Sequence, residues 1–283
     1  MLKSRRPDPI DYLLIGHISQ DLTPDGGYRI GGTVAYAALT ARALGLRPGI
    51  VTSCAEDLDI SPLDGIPIIN LPAEYSTTFE NIETPHGRVQ KIHARAQLLD
   101  YQHIPETWMH TPLVHLAPIA QEVSPRLVRY FPDSFLVITP QGWLREWNAS
   151  GKIHTGEWPE ARFVLETAGA AIFSLEDMQE DESRIEELIH TCPVIVVTEG
   201  SAGARVYWHS DVRRFRAPQV QVVDTVGAGD IFAAAFFVRL EKTRDPWEAA
   251  RFATYLAACS VTRSGLDSIP TPQEIEYTTI EVF

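Results

Sequence analysis

The chain has 283 residues, 45% hydrophobic and 22% charged, with a formal net charge of −13. This length and apolar content suit one large α/β domain, and the acidic balance argues against nucleic acid or an anionic membrane as partner. A phosphorylated ligand stays open, because binding sites are local.

Three widely spaced cysteines, Cys54, Cys192 and Cys259, show no metal-ligand spacing and read as reduced core residues of a cytoplasmic protein. Met1 to Arg6 is basic, but no apolar run of signal-peptide length follows before Gly16, so no export signal is read.

Tyr12 to Ile15 is a short apolar run, expected to be a buried first strand. It ends at Gly16-His17, and Asp21 follows, in the region where doubly wound sheets bind ligands. Asp21 reads either as a turn aspartate or as an acceptor for a polyol's hydroxyls. Gly31-Gly32 opens the stretch Thr33 to Leu44, almost all small or apolar, which predicts a helix buried nearly all round and stopped at Gly45. The glycine pair either lets a ligand approach backbone amides or simply turns the chain into the helix. Ile50 to Ser53 reads as the next strand, and prolines and glycines exclude a long helix over Pro62 to Leu71. Thr77 to Ile82 and Arg88 to Ile92 alternate around Thr84-Pro85-His86-Gly87, a hairpin signal.

Leu113 to Leu116 and Phe135 to Ile138 are runs of parallel-strand type, separated by an expected helical segment from Ser124 to Tyr130. Thr139 to Arg145 then reads as a loop. After the strand Ala170 to Phe173, Ser174 reads as the cap of an acidic helix over Leu175 to His190, with Asp177 in its first turn. Val194 to Val197 leads through Thr198-Glu199-Gly200-Ser201-Ala202-Gly203 into Ala204 to Trp208, a hairpin pattern.

Val220 to Val223 reads as a strand end delivering Asp224-Thr225-Val226-Gly227-Ala228-Gly229-Asp230 to the apolar helix Ile231 to Leu240. Small residues at the start of a helix can bring free amides to an anion. A carboxylate there would repel a phosphate, unless it takes a proton from the group attacking that phosphate. No Gly-Lys-Ser/Thr follows a glycine loop, and Phe232 stands where a dinucleotide fingerprint needs Gly or Ala, so both familiar phosphate motifs are excluded. Pro246 to Ser260 is alanine-rich and helical, with Phe252, Leu256 and Cys259 on a buried stripe. Thr271-Pro272-Gln273-Glu274 has the form of a capping box opening a last helix. Strand and helix alternate throughout, which predicts a mainly parallel, doubly wound sheet with helices on both faces.

Asp224 to Asp230 resembles the C-terminal signature of the ribokinase-like (PfkB) family of sugar and nucleoside kinases. Gly31-Gly32 through Leu44-Gly45 is similar to its N-terminal signature, with Tyr36 where the family usually has Asn. The resemblance implies a single ribokinase-like kinase domain over 1–283, with a small β lid from about 67–100 that closes over the acceptor and excludes water. It implies Asp230 as general base, with the amides of Gly227, Ala228, Gly229 and Asp230 as anion hole. Asp21, Gly31, Gly32 and Tyr36 would face the acceptor, joined by Gln141 and Arg145, whose stretch is most similar to the inositol-kinase branch. Ser174, Thr198, Gly200, Gly203, Thr225, Gly227, Thr254 and Ala258 would face the nucleotide. Ser174 and Asp177 stand where the family has Asn-x-x-Glu, so Asp177 would hold Mg²⁺ through water. Asp224 would lie near a monovalent cation, K⁺ in several relatives.

The implied activity is ATP-dependent phosphorylation of a hydroxyl on a sugar or inositol-like polyol, by a monomer or homodimer with no nucleic-acid or membrane partner. One alternative is a nucleoside kinase, with Tyr36 and Phe79 forming a slot for the base. The other is a non-catalytic ligand-binding relative, kept open by the changed residues at Tyr36, Ser174, Asp177 and Thr254.

Overall fold

The computed structural model describes residues 7–84 and 87–280. The basic start, Met1 to Arg6, and Pro85 and His86 of the expected hairpin connection lie outside the described residues. In chain order, β1 (Tyr12–Ile15), β2 (Ser19–Leu22) and β3 (Tyr28–Gly31) precede α1 (Thr33–Ala43) and β4 (Pro48–Cys54). Then come β5 (Ile68–Pro72), β6 (Thr77–Thr84), β7 (Gly87–Ala94), β8 (Leu113–Leu116), β9 (Phe135–Ile138), β10 (Arg145–Trp147) and β11 (Ile153–Thr155). α2 (Ala161–Leu165), β12 (Ala170–Ser174), α3 (Glu182–Leu188), β13 (Val194–Thr198), β14 (Ala204–Trp208) and β15 (Asp211–Phe215) lead to α4 (Ala228–Thr243), α5 (Pro246–Ser260) and α6 (Pro272–Ile280).

The main sheet has nine strands in the order β15-β14-β13-β12-β9-β8-β1-β4-β5. It is parallel except at one edge, where β14 and β15 run antiparallel. Both faces are covered, which is why its central strands read as unbroken apolar runs. Leu14 faces a core with Ala38, Phe236 and Ala253 under α1, α4 and α5, while Leu13 faces the opposite core with Trp108, Trp143 and Leu165. From β1 the chain builds outward through β4 and β5 on one side and β8, β9, β12 and β13 on the other. The C-terminal ends of β1 and β8 therefore flank the point where strand order reverses, the crevice in which such sheets hold ligands.

A second, four-stranded sheet stands over that crevice in the order β3-β2-β6-β7. This differs from the expected lid at about 67–100. β5 joins the main sheet beside β4, and half of the small sheet comes from residues 19–31. Those two strands are short and polar, so no alternation announced them. Ser124 to Tyr130 is not an α-helix but a tighter 3₁₀ stretch over Pro125–Tyr130. The expected helix over Leu175 to His190 is interrupted. Gln179 and Glu180 have positive φ, and α3 begins only after Asp181, whose carboxylate accepts from Ser183 N at 2.9 Å. Val220 to Val223 forms no strand. Val222 and Val223 are 57% and 61% exposed, and the segment is tied instead by Val223 N to the Val261 carbonyl at 2.7 Å.

The capping box at α6 is present, with Thr271 N donating to Glu274 at 2.8 Å and Glu274 N to Thr271 Oγ1 at 3.3 Å. No helix among the described residues is long and apolar enough to cross a membrane.

Candidate active site

The turn before α4 is set by Gly227, whose φ of 79° is left-handed, and a Cβ there would strike the ring of Tyr36. Glycine is therefore required on two counts. Tyr36, expected to face the acceptor, is only 3% exposed, and its ring lies behind the turn as a wall. Burial, then the carboxylates of Asp230, Asp21 and Asp224, push its phenol well above the ordinary value, so it stays protonated. The four amides expected to form an anion hole are not equivalent. Ala228 N donates to the Thr225 carbonyl at 3.3 Å, whereas the N–H groups of Gly227, Gly229 and Asp230 have no protein acceptor among the described residues. Three free donors stand at the positive end of a 16-residue helix, an arrangement chemically able to hold an anion.

Asp230 sits in the first turn of that helix. Burial pushes its carboxyl up to about 6; a hydrogen bond with Thr33 and the charge of Arg145 work against this, and Asp21 and Asp177 add to it. Arg145, at the start of β10, donates to the Ile119 carbonyl at 2.9 Å, and its guanidinium lies 5.4 Å from the centre of the Phe79 ring. Burial lowers its pKa, and Asp177, Asp230, Glu122 and Asp21 favour its charged form. Gln141 Nε2 donates to Asp177 Oδ1 at 3.3 Å. Burial raises the Asp177 carboxyl, opposed by Arg145 and Gln141. Asp21, read either as a turn aspartate or as an acceptor for a polyol's hydroxyls, lies on β2, where Ser19 Oγ donates to it at 2.9 Å and it abuts Gly31. Gly32 follows with a φ of 90°, at the N-terminus of α1. The structure thus gathers Asp21, Gly31, Gly32, Gln141, Arg145, Asp177 and Asp230 into one crevice.

Three side chains that no motif announced build this arrangement. Glu122 is fully buried, and its carboxylate accepts from Ile119 N at 2.9 and 3.0 Å, Ala120 N at 2.6 Å and His17 N at 3.1 Å. It therefore ties the end of β1 to the loop after β8. Gln121 Nε2 from the same loop donates to the Arg145 carbonyl at 2.6 Å, fixing that residue. Thr33, which bonds to Asp230, is the third; its position directly after the glycine pair was the one available signal.

On the other side of the turn, Ser174 and Thr198 pair in register at the ends of β12 and β13. Ser174 does not cap α3; its hydroxyl accepts from Glu176 N at 3.2 Å. Thr198 donates to the Phe173 carbonyl at 3.3 Å, and Gly200 to Gly203 form the following tight turn. Thr225 is exposed beside the turn before α4. Thr254 borders a cleft of about 320 Å³ between residues 214–218 and α5, together with Phe215, Pro218, Phe252 and Tyr255. The Thr254 hydroxyl has no hydrogen-bond partner among the described residues. Ala258, one turn further along α5, is buried and is not part of the cleft wall.

The Asp224 carboxylate accepts from Val226 N at 3.0 Å, Ser264 Oγ at 2.9 Å and Gly265 N at 3.4 Å, and Arg29 of β3 approaches it at 3.5 Å. Burial acts to raise its carboxyl, but these bonds hold it below the ordinary value. Among the described residues no group of three or more His, Cys, Asp or Glu could cage a metal. A divalent cation here would depend on carboxylate, water and donor phosphate together, which suits Mg²⁺.

Residues 131–274 match the family described as pfkB family carbohydrate kinase. A probable fructokinase-5 of Arabidopsis thaliana is 29% identical over 128 residues, 42% of this chain and 40% of that protein. A cytidine kinase of Thermococcus kodakarensis is 25% identical over 274 residues, 86% of this chain and 92% of that protein. The fold is that of a solved pyrophosphate-dependent kinase in the ribokinase family, complexed with a pyrophosphate analogue and myo-inositol. That structure aligns with a TM-score of 0.78 at 20% identity, over 94% of this chain and 99% of its own.

Proposed function

We propose that this chain, which belongs to the pfkB family of carbohydrate kinases, transfers a phosphoryl group from ATP to a hydroxyl of a sugar or inositol-like polyol. The observation that carries this reading is the pairing of Asp230, its carboxyl pushed up to about 6, with the unpartnered amides of Gly227 and Gly229 beside it. A carboxylate tuned in this way is ionised at neutral pH yet basic enough to accept a hydroxyl proton.

In the step proposed, Asp230 takes that proton as the hydroxyl oxygen bonds to the γ-phosphorus. The bond from phosphorus to the bridging oxygen breaks, and ADP leaves. The free amides of the turn hold the charge that gathers on the transferring group, and Thr33 holds the base in place. Arg145, fixed by Ile119 and Gln121, faces the same carboxylates and balances their charge. Asp177 would hold Mg²⁺ through water; when bound, that ion neutralises donor phosphate charge. Asp21 and the Gly31-Gly32 turn would bind the acceptor's other hydroxyls, under the small sheet acting as a lid.

The acceptor reading favours a polyol over a nucleoside. Phe79 and Tyr36, the two rings that could clasp a base, are 4% and 3% exposed, and Arg145 covers the Phe79 face. The cleft beside Thr254 supports a nucleotide as donor, since it is lined by Phe252 and Tyr255 and holds an unpartnered hydroxyl. Pyrophosphate is the second reading. It is favoured by Ser174 and Asp177, each of which departs from the residue the nucleotide-using family usually has, and by the pyrophosphate dependence described for the solved relative. A cytoplasmic location, where both donors are supplied, belongs to the same proposal.

A panel of ATP or pyrophosphate against myo-inositol, ribose, fructose and cytidine, read by release of ADP or phosphate, tests the proposal. Turnover with ATP and a polyol is expected. Turnover with pyrophosphate alone would replace the donor. Turnover of cytidine alone would replace the acceptor. No turnover, alongside tight binding of one small molecule, would make the chain a non-catalytic relative.

A further inference from the structure

The small sheet brings one cation to this acidic crevice from outside every recognised motif. Arg29 on β3 places Nη1 3.3 Å from Ser264 Oγ and 3.5 Å from Asp224 Oδ2. The other oxygen of Asp224 accepts the amide of Val226, the residue directly before Gly227. The guanidinium therefore stands at the rim of the turn whose amides lack acceptors. Its side chain is 60% exposed, and a pair so long and so open to water holds weakly. Asp224 keeps Val226 N, Ser264 Oγ and Gly265 N if Arg29 departs, so release strands no carboxylate.

The charge around the turn makes such a departure favourable. Asp21, Asp177, Asp224 and Asp230 surround it, and Arg145, the cation buried among them, is held at the Ile119 carbonyl. A polyanionic donor entering this field gains from each further cation that reaches its phosphates. A guanidinium does so with two parallel donors in a fixed fork, which matches phosphate oxygens better than a single carboxylate contact at 3.5 Å.

We propose that Arg29 is a phosphate-binding residue: when a donor occupies the turn at Gly227 to Asp230, the guanidinium leaves Asp224 and bonds to the donor's phosphate oxygens. The inference rests on the phosphotransfer reading above.

The test is titration calorimetry of pyrophosphate, of a non-hydrolysable ATP analogue with Mg²⁺, and of myo-inositol, each into the full chain as wild type, Arg29→Ala and Arg29→Lys. Loss of a bond to a charged group is expected to weaken binding in Arg29→Ala by about 10- to 100-fold for both donor ligands. Lysine should restore part of this, and the melting temperature should not move. A Kd within about twofold of wild type in Arg29→Ala, or a loss confined to the polyol acceptor, would overturn the proposal. Wild type that binds neither donor ligand would overturn both this proposal and the kinase reading. Wild type that binds donors but turns nothing over would remove the kinase reading alone, leaving Arg29 to be judged on the Kd series.

Discussion

Asp230→Asn is expected to make the protein more stable while removing its activity, and the gain should depend on pH. The folded carboxyl titrates at about 6 against an ordinary 3.8. The difference, about 2 units, corresponds to about 3 kcal/mol between the two protonation states. Between these two values the folded state keeps a proton that the unfolded chain has lost, so stability falls as pH rises through that window. Above about pH 6 the whole cost of holding a desolvated carboxylate is present; below about pH 4 none of it is. Asparagine keeps the shape and an acceptor for Thr33 but never ionises. Urea unfolding at pH 8 should show the variant more stable by up to about 3 kcal/mol, with the gap closing toward pH 4. Equal or lower stability at pH 8, or a gap that ignores pH, would refute the claim that burial has displaced this group.

Other outcomes follow from the same geometry. The acid limb of kcat/KM should fall near pH 6, where Asp230 takes up its proton, and Arg145→Gln should move that limb upward by removing a cation that favours the charged base. A pH–rate profile with an unmoved limb would deny the coupling of these two residues. Gly227→Ala forces a side chain into a left-handed turn and against the Tyr36 ring, so it should cost about 1–3 kcal/mol and most of the turnover. A variant that melts and turns over like wild type would show that the turn is looser than its geometry.

What could be read from the sequence follows from which interactions are local. β1, β8, β9, β12 and β13 were legible because burial on both faces demands unbroken apolar runs. α1 and α4 were legible because apolar residues crowd most of their surface, and α5 because Asp245-Pro246 opens a helix with one buried stripe. The polar strands β2 and β3 were not: they pair with each other, and β2 is held in its sheet by β6, whose residues lie far along the chain. The break before α3 was hidden because helix-forming composition continues through Gln179 and Glu180, whose backbone turns left-handed.

The same division holds in the crevice. The spacing from Asp224 to Asp230 marks a small-residue turn at a helix start, and such a turn is present. Glu122 acts on His17, 105 residues away, and Arg29 reaches Asp224, 195 residues away. A lone charged residue has no pattern of its own, so its partner is known only once the fold has brought the two together.

The central claim is that the Asp230 carboxylate takes the acceptor's proton as phosphorus moves. Phosphorus NMR of product formed by wild type and by Asp230→Asn, with donor affinity measured on both, tests it most directly. The account predicts a polyol phosphomonoester from wild type, and unchanged donor affinity with product formed about 10²- to 10⁴-fold more slowly by the variant. Product formed by Asp230→Asn at the wild-type rate would contradict it.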